Sequence, residues 1–558
     1  MYGLGVSERL GLMTKPNRRH FLTSVAGAAT VGSTGLSLPQ RAKAAISGPI
    51  NRKQRAYDLR VGAAEYFRAM PDAKHHPNGD EELYPDKRNS FAKTLPHDEM
   101  GLVRQDAWDS LMKAVDSGRT ADYESILMGG SAKLVSPQAA HSFNLEGLDT
   151  HQLLMRPAPA FASPEQAAEM VELYWQSLAR DVPFAEYETN DTIRAAAEDL
   201  SRMSDFRGPK AGGRVTASTV FRAGLPGDRE GPYLSQFLAM PVASGATKYD
   251  QKIRTVAAGV DYLTAYPAFL NAQRGSAASQ VTLDPVARYI RNARDLAEWV
   301  HRDYSYQAFL NAALILFELG DKNPGALGEV RTFSDNNVLL YSRNQAGFVT
   351  WGVPDITDLL ARVSKFAFQA AWCQKWLVHR RARPEEFGGH VHNHMTARAT
   401  YPIHADLQNS PVLKAVHDKQ GSYLLAQAFP EGTPAHPAYP SGHATVSGAC
   451  ATVLKAFFRE DFIIPNPVIA SSDGLEMRPY LGAPLTVGGE INKLVSNIAI
   501  GRDWAGIHWR TDMSEGIKLG EEVAIQSLRD FGKQYSEDFG GFTFNRFDGT
   551  EIMVCPGC

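Results

Sequence analysis

The chain has 558 residues, enough for two or three conventional domains or one large helical body with an extension. Hydrophobic residues at 44% and charged residues at 21% exclude a disordered, collagenous or multi-spanning membrane protein. A formal net charge of −3 argues against general nucleic-acid binding.

In chain order, Asn17-Arg18-Arg19-His20-Phe21-Leu22 is a twin-arginine pattern, followed by an Ala/Gly/Thr-rich stretch to Leu38 and the A-x-A site Ala42-Lys43-Ala44. The run is too short and too rich in Gly and Ser to span a bilayer. Residues 1–44 therefore read as a twin-arginine signal peptide cleaved after Ala44, implying export to the periplasm or beyond. They carry six basic side chains and one acidic, so their loss takes the net charge from −3 to −8. Basic clusters in the mature chain are then local arrangements.

Residues 103–121 predict a short helix, and 157–163 an irregular link. Ser163-Pro164-Glu165-Gln166 opens an amphipathic helix with an N-cap, a first-turn proline and a capping-box glutamine. Further helices are predicted over 191–203, 251–270, 284–302 and 305–319, and one hairpin from 215–221 and 236–241. A long helix is expected over 355–381, with apolar Leu359, Leu360, Val363, Phe366, Phe368, Ala371, Trp372 and Leu377 near helical spacing. The reading is mainly all-α with minor β-hairpins.

Four cysteines are too few for a disulfide framework. Cys373 and Cys450 lie in apolar helical sequence and read as inert core residues. Cys555-Pro-Gly-Cys558 reads as a tail disulfide, with pairing between subunits open, rather than a redox or zinc motif.

Three polar clusters interrupt the last third. In the first, Pro384 disfavours helical geometry at Arg383, so the helix carrying Lys375 should stop there and both cations can approach one anion. Taken singly, the run Lys375, His379, Arg380, Arg381, Arg383 is equally a solvated helix end. In the second, Ser441-Gly442-His443 opens a helix over 444–458. Its free amides, the Ser441 hydroxyl and the side-chain-free Gly442 suit an oxyanion, and His443 suits an acid or base. The third places Arg502 after a helix over 488–500, with His508 and Asp512 at i and i+4 on a second helix, so that Asp512 orients the His508 ring. Each has a bland alternative, an N-cap serine or a surface His/Asp pair. Together they describe a pocket for a tetrahedral oxyanion.

Lys375…Arg383-Pro384, Pro440-Ser441-Gly442-His443 and Arg502-x5-His508-x3-Asp512 resemble the signature shared by vanadium-dependent haloperoxidases and type 2 phosphatidic acid phosphatases. The likeness is to bromoperoxidases of red-algal type and their bacterial relatives. It extends through Phe143–Gly147, Gly231–Gln236, Asp295–Val300 and Glu490–Arg502. The eight-residue step from Lys375 to Arg383, and Gly501 where the phosphatases have Ser, both lean towards the haloperoxidases.

The resemblance implies a large α-helical body with two four-helix bundles: residues 45–350 as helical body and oligomerisation region, 351–558 as the vanadate-binding bundle. It implies vanadate as cofactor, with vanadium held by His508 and the anion by Lys375, Arg383, Arg502, Ser441, Gly442 and, at its apical oxygen, His443. His443 would assist deprotonation of hydrogen peroxide, Lys375 would polarise the bound peroxide, and oxidised halide would leave as hypohalous acid to halogenate an organic acceptor. His436, at the halide-selectivity position, favours bromide; Trp372, where red-algal relatives tend to have Arg, leaves bromide and chloride both open. The resemblance also implies a homo-oligomer built from dimers, up to a dodecamer, and structural Ca²⁺, although Phe333-Ser-Asp-Asn-Asn337 offers a single carboxylate. No nucleic acid or membrane partner is expected. The alternative is an exported acid phosphatase with His508 as phosphohistidine nucleophile, and a non-catalytic anion-binding protein is the remaining class.

Overall fold

A computed structural model describes residues 51–145, 147–320 and 332–556. The signal-peptide segment and Cys558 lie outside these residues. Numbering helices of eight or more residues, the order is α1 (Arg52–Ala69), α2 (Gln105–Ser117), α3 (Pro164–Ala179), α4 (Asp191–Leu200), α5 (Tyr266–Gln273), α6 (Ala293–Arg302) and α7 (Gln307–Gly320). It continues with α8 (Val353–Cys373), α9 (Pro384–Met395), α10 (Pro411–Gln420), α11 (Gly442–Phe457), α12 (Val487–Trp504) and α13 (Arg510–Gly532). A short N-terminal unit ends at Glu65, and the main unit runs from Tyr66. Among the described residues strand is confined to three two-stranded antiparallel ribbons: Val242–Ser244 with Thr247–Tyr249, Val468–Ala470 with Met477–Pro479, and Phe542–Asn545 with Glu551–Val554. No described helix is long and apolar enough to cross a membrane.

The main unit is built around α11, which is buried along its whole length except at His443 and packs on α8, α12 and α13. Glycines set the approach of α11 to α13. A Cβ on Gly520 would lie 1.9 Å from the Thr445 carbonyl oxygen, and one on Gly448 would lie 2.2 Å from that of Ile517. Two backbones this close exclude any side chain between them. Helices α3 and α6 pack on α12, and α4 and α10 on α3. The largest apolar cluster draws on residues from Phe161 to Val554.

Local signals held where caps and apolar stripes agreed. Ser163 Oγ accepts from the Gln166 amide at 3.1 Å as expected of an N-cap. The Gln166 side chain does not complete a capping box, however; its Oε1 accepts from Arg381 at 2.6 Å. The helix expected over 251–270 is α5 alone, and that over 284–302 is α6 alone. Ile253 and Val256 pair instead with Arg288 and Leu283, because these β-branched stretches, interrupted by Gly259 and Pro285, find cross-chain backbone partners. The hairpin also lies elsewhere. Residues 215–221 form turns and Gln236–Leu238 a 3₁₀ turn, whereas Gly245, at φ +60°, closes the ribbon Val242–Tyr249.

The 355–381 helix is a larger correction. After Cys373 the backbone widens into a π-turn over Gln374–His379, then reverses at Arg380, whose φ is +39°. Ala382 N donates to Asn89 O at 2.8 Å, so the segment leaves the helix to pair across the chain. Pro384 opens α9 rather than ending α8. Such insertions into a helix recur at functional sites because they re-aim side chains.

Cys373 and Cys450 are free and buried, and burial pushes the Cys373 thiol up to about 12. Cys555 is disulfide-bonded. In the 333–337 loop, Asn336 and Asn337 donate to the carbonyls of Ala456 and Trp351, and Asp335 accepts from the Tyr341 hydroxyl at 2.6 Å. Among the described residues no group of three or more His, Cys, Asp or Glu is placed to hold a metal ion.

Candidate oxyanion site

The π-turn carries Lys375 inward, the N-cap of α9 presents Arg383, the start of α11 presents Ser441 and Gly442, and the last turn of α12 presents Arg502. Lys375, Arg383 and Ser441 are at most 1% exposed and Arg502 is 8% exposed, so these cations are no solvated helix ends. Lys375 Nζ donates to the carbonyls of Pro437 and Ala438 at 2.7 and 2.8 Å, which leaves one of its three donors uncommitted. Arg383 donates to His436 O (2.9 Å), Ile507 O (2.7 Å) and His436 Nδ1 (3.0 Å). Arg502 Nη1 donates to Val300 O at 2.7 Å, while its buried Nε has no acceptor.

His508 lies two residues ahead of α13 rather than on it, which corrects the expected helical i, i+4 face. The contact forms nonetheless, because Asp512 sits in the first turn and reaches back. Its Oδ2 accepts from His508 Nδ1 at 2.8 Å and from the Trp509 amide at 3.1 Å. With the ring proton assigned to Nδ1 by that bond, Nε2 carries a lone pair, towards which Arg383 Nη1 donates at 2.9 Å.

Sequence reasoning missed what stands behind this pair. Arg381, read as part of a helix end, is 1% exposed and bridges Asp512 (2.9 Å), Glu169 (2.8 Å) and Thr511 (2.7 Å). It also missed Asp303, just past α6, whose Oδ1 lies 3.0 Å from His443 Nε2. No local pattern marks either, since their partners come from distant segments. His436 and Trp372 adjoin, with ring centroids 4.8 Å apart, and Lys375 Nζ lies 6.0 Å from the Trp372 ring. Trp372 is half-buried and donates to Val135 O at 3.2 Å.

The electrostatics show a site short of negative charge. Burial, then the neighbouring Arg383 and Arg502, pushes the Lys375 ammonium well below its ordinary range. Burial brings Arg383 down to about 9 and Arg502 to about 10. Burial and the same cations drive His508 and His436 well below theirs. The carboxylate against His508, Asp512, is itself pushed up by burial, with Arg381 and Lys375 opposing. Such a group of cations with spare donors is relieved by an anion. The Gly442 amide is a free helix-start donor, and a Cβ there would meet Phe368 and Trp372 at 3.2 and 3.5 Å. The donor set, the orphaned Arg502 Nε and the imidazole lone pair together fit a tetrahedral oxyanion bonded to one nitrogen.

Comparison with known proteins agrees. Residues 364–537 match the family described as the VCPO second helical-bundle domain. The chain is 35% identical to a vanadium-dependent bromoperoxidase of Ascophyllum nodosum, over 91% of this chain and 93% of the relative. It is 33% identical to a vanadium-dependent bromoperoxidase of Corallina officinalis, over 90% and 98%. The fold superposes on the homohexameric second vanadate-dependent bromoperoxidase of Ascophyllum nodosum with a TM-score of 0.85, at 30% identity and 91% of each chain. At this identity, sustained over nine-tenths of its length, the chain belongs to the vanadium-dependent bromoperoxidase family.

Proposed function

We propose that the chain is a vanadium-dependent bromoperoxidase that uses hydrogen peroxide to oxidise bromide, releasing hypobromous acid to brominate organic acceptors. The observation that carries this reading is the His508 Nε2 lone pair, fixed by Asp512 within reach of Arg383 and among cations that lack counter-charge. His508 would hold the metal, Lys375, Arg383 and Arg502 would neutralise the oxyanion, and the Ser441 hydroxyl and Gly442 amide would donate to it. Vanadate, when bound, supplies a Lewis acid that activates peroxide without a change of its own oxidation state.

The chain's own work is positional and protonic. Asp303 fixes one nitrogen of His443, which leaves the other to take the proton that hydrogen peroxide must lose. The uncommitted Lys375 donor polarises the oxygen that halide attacks. Trp372 and His436 form the wall that halide meets, and bromide is the assigned substrate. Residues 351–558 carry the anion-binding side chains, and residues 45–350 supply the backing carboxylates Glu169 and Asp303 and the assembly surfaces.

The relative that forms a homohexamer supports a homo-oligomer here, for which we propose a dimer-based assembly; sedimentation distinguishes a hexamer from a dodecamer. We further propose export by the twin-arginine route, tested by signal cleavage after Ala44. Vanadate is the cofactor of this reading; the 333–337 loop, with Asp335 as its one carboxylate, offers little to a structural Ca²⁺.

The deciding experiment is bromide- and peroxide-dependent bromination of a chromogenic acceptor before and after vanadate addition. Activity should require vanadate and fall with phosphate. Phosphomonoester hydrolysis inhibited by vanadate, without bromination, would reassign the site to an acid phosphatase.

A further inference from the structure

Away from the oxyanion-site residues, a cavity of about 280 Å³ opens between the segments around residues 184–188, 217–234, 290 and 468–472. Its walls are largely apolar and aromatic, including Phe184, Leu234, Ile290 and Val468. Three buried polar atoms of lining residues have no hydrogen-bond partner among the described residues: the Tyr187 hydroxyl, Arg222 Nε and Arg291 Nε, of which the last lies 3.3 Å from the Asp295 carboxylate. Both Arg222 and Tyr187 pack on Tyr233, the Arg222 guanidinium 4.5 Å and the Tyr187 ring 5.5 Å from its ring centroid.

Arg222 is the informative residue. It is 8% exposed, yet it forms no ion pair among the described residues. Its guanidinium lies 4.5 Å from the centroid of the Tyr233 ring, which stacks on Phe184 at 4.1 Å. One Nη donates to the Asp228 carbonyl. Asp228 Oδ2 accepts from the amides of Gly224 and Leu225 at 2.7 and 3.1 Å, and its Oδ1 is buried without a hydrogen-bond partner, so the carboxylate is near Arg222 but makes no hydrogen bond to it. The cation is thus held in place by an aromatic stack and a carbonyl, with its Nε left over. Arg229 and Arg291 also line the cavity, against one carboxylate, Glu188. A buried guanidinium and a buried hydroxyl, both unsatisfied on an apolar wall, cost stability unless something completes them.

We propose that this cavity is a binding site for a small aromatic carboxylate, distinct from the oxyanion site. The carboxylate accepts from Arg222 Nε and the Tyr187 hydroxyl, and the ring lies against Phe184, Ile290 and Val468. An inorganic anion would leave the apolar walls unfilled, and a neutral aromatic would leave the guanidinium unpaired. The volume falls at the small end of ligand pockets, about 300 Å³ upward, so a one- or two-ring acid fits.

The test titrates 2-naphthoate into the mature protein loaded with vanadate, by calorimetry. One molecule should bind per chain, and 2-naphthamide should bind at least about tenfold more weakly, as expected of a charge-assisted bond. Tyr187→Phe removes only the unpartnered hydroxyl and should weaken binding about five- to tenfold, with the bromination rate unchanged. Arg222→Gln should abolish binding, with thermal unfolding confirming that the variant is folded. His508→Ala, which disables the oxyanion site, should bind 2-naphthoate as the wild type does. Competition between naphthoate and vanadate, displacement by inorganic phosphate, equal affinity for acid and amide, no effect of Tyr187→Phe, or no binding at millimolar concentration would each overturn the proposal.

Discussion

Replacing Asp512 by Asn changes one atom and one charge, and the structure says what that does. Every neighbour of the carboxylate is a donor: His508 Nδ1 at 2.8 Å and the Trp509 amide at 3.1 Å on one oxygen, Arg381 Nη1 at 2.9 Å on the other. A carboxylate accepts on both sides; an amide accepts on one and donates on the other. With the amide oxygen towards His508, the NH₂ opposes Arg381. Reversed, the NH₂ opposes His508, which must then move its ring proton to Nε2, where Arg383 already donates at 2.9 Å. Both arrangements bury a donor against a donor and remove the only carboxylate in contact with His508.

Breaking one side of a buried ion pair costs about 3–5 kcal/mol. Arg381 keeps Glu169 at 2.8 Å, so the low end, about 3 kcal/mol, applies. Vanadate affinity should fall by about 10- to 100-fold, the usual cost of losing the group that orients a metal-bound histidine. Urea unfolding of the vanadate-free variant and calorimetric titration with vanadate measure the two separately. A variant with an unchanged unfolding midpoint that binds vanadate within twofold of wild type would refute the reasoning.

His443→Ala should lower bromination by at least about 100-fold while vanadate binding stays within about threefold, because the role proposed for His443 is on a proton and that for His508 on the metal; equal losses in both measurements would contradict that division. Gly520→Ala drives a Cβ to 1.9 Å from the Thr445 carbonyl oxygen and should cost about 3 kcal/mol or more, whereas Gly540→Ala, with nothing within 4 Å, should leave the melting temperature unchanged. His301 tests pH linkage. Burial lowers its pKa, but Glu298 and Glu431, the latter at 2.7 Å, outweigh burial and raise it. A raised histidine contributes stability in full below its unfolded value near ~6.5 and loses it as pH rises through the folded value. The gap in urea midpoint between wild type and His301→Gln should therefore shrink from pH 6 to pH 8.5, and a gap that widens would reverse the assignment.

The groups that line the candidate oxyanion site were legible in the sequence because short spacings and helix-breaking residues carry them. Pro384 forces Arg383 off the helical path, Gly442 bares a helix start, and His508 precedes Asp512 by four. Even so, the His508–Asp512 contact arises from a side chain reaching back over a helix start, not from a shared helical face. The π-turn that aims Lys375 was invisible, because Gln374–His379 is good helical sequence and the widening is imposed by the pairing of Ala382 with Asn89. Arg381, Glu169 and Asp303 were hidden for a related reason: each is defined by a partner more than a hundred residues away, and solitary charged residues in sequence read as surface.

Structure adds a rule that sequence lacks, namely where buried charge fails to balance. Around Arg180 and Arg294 it does balance, since Asp181 and Asp261 answer the two guanidiniums. In the oxyanion site Lys375 and Arg383 face Asp512, which Arg381 already shares, and Arg502 makes no ion pair among the described residues although Asp303 and Glu431 act on it from further off. At Arg222 there is no carboxylate in ion-pair range among the described residues. A fold that pairs its structural arginines carefully leaves these others without an ion pair, and this imbalance marks both the site read from the sequence and the cavity proposed around Arg222.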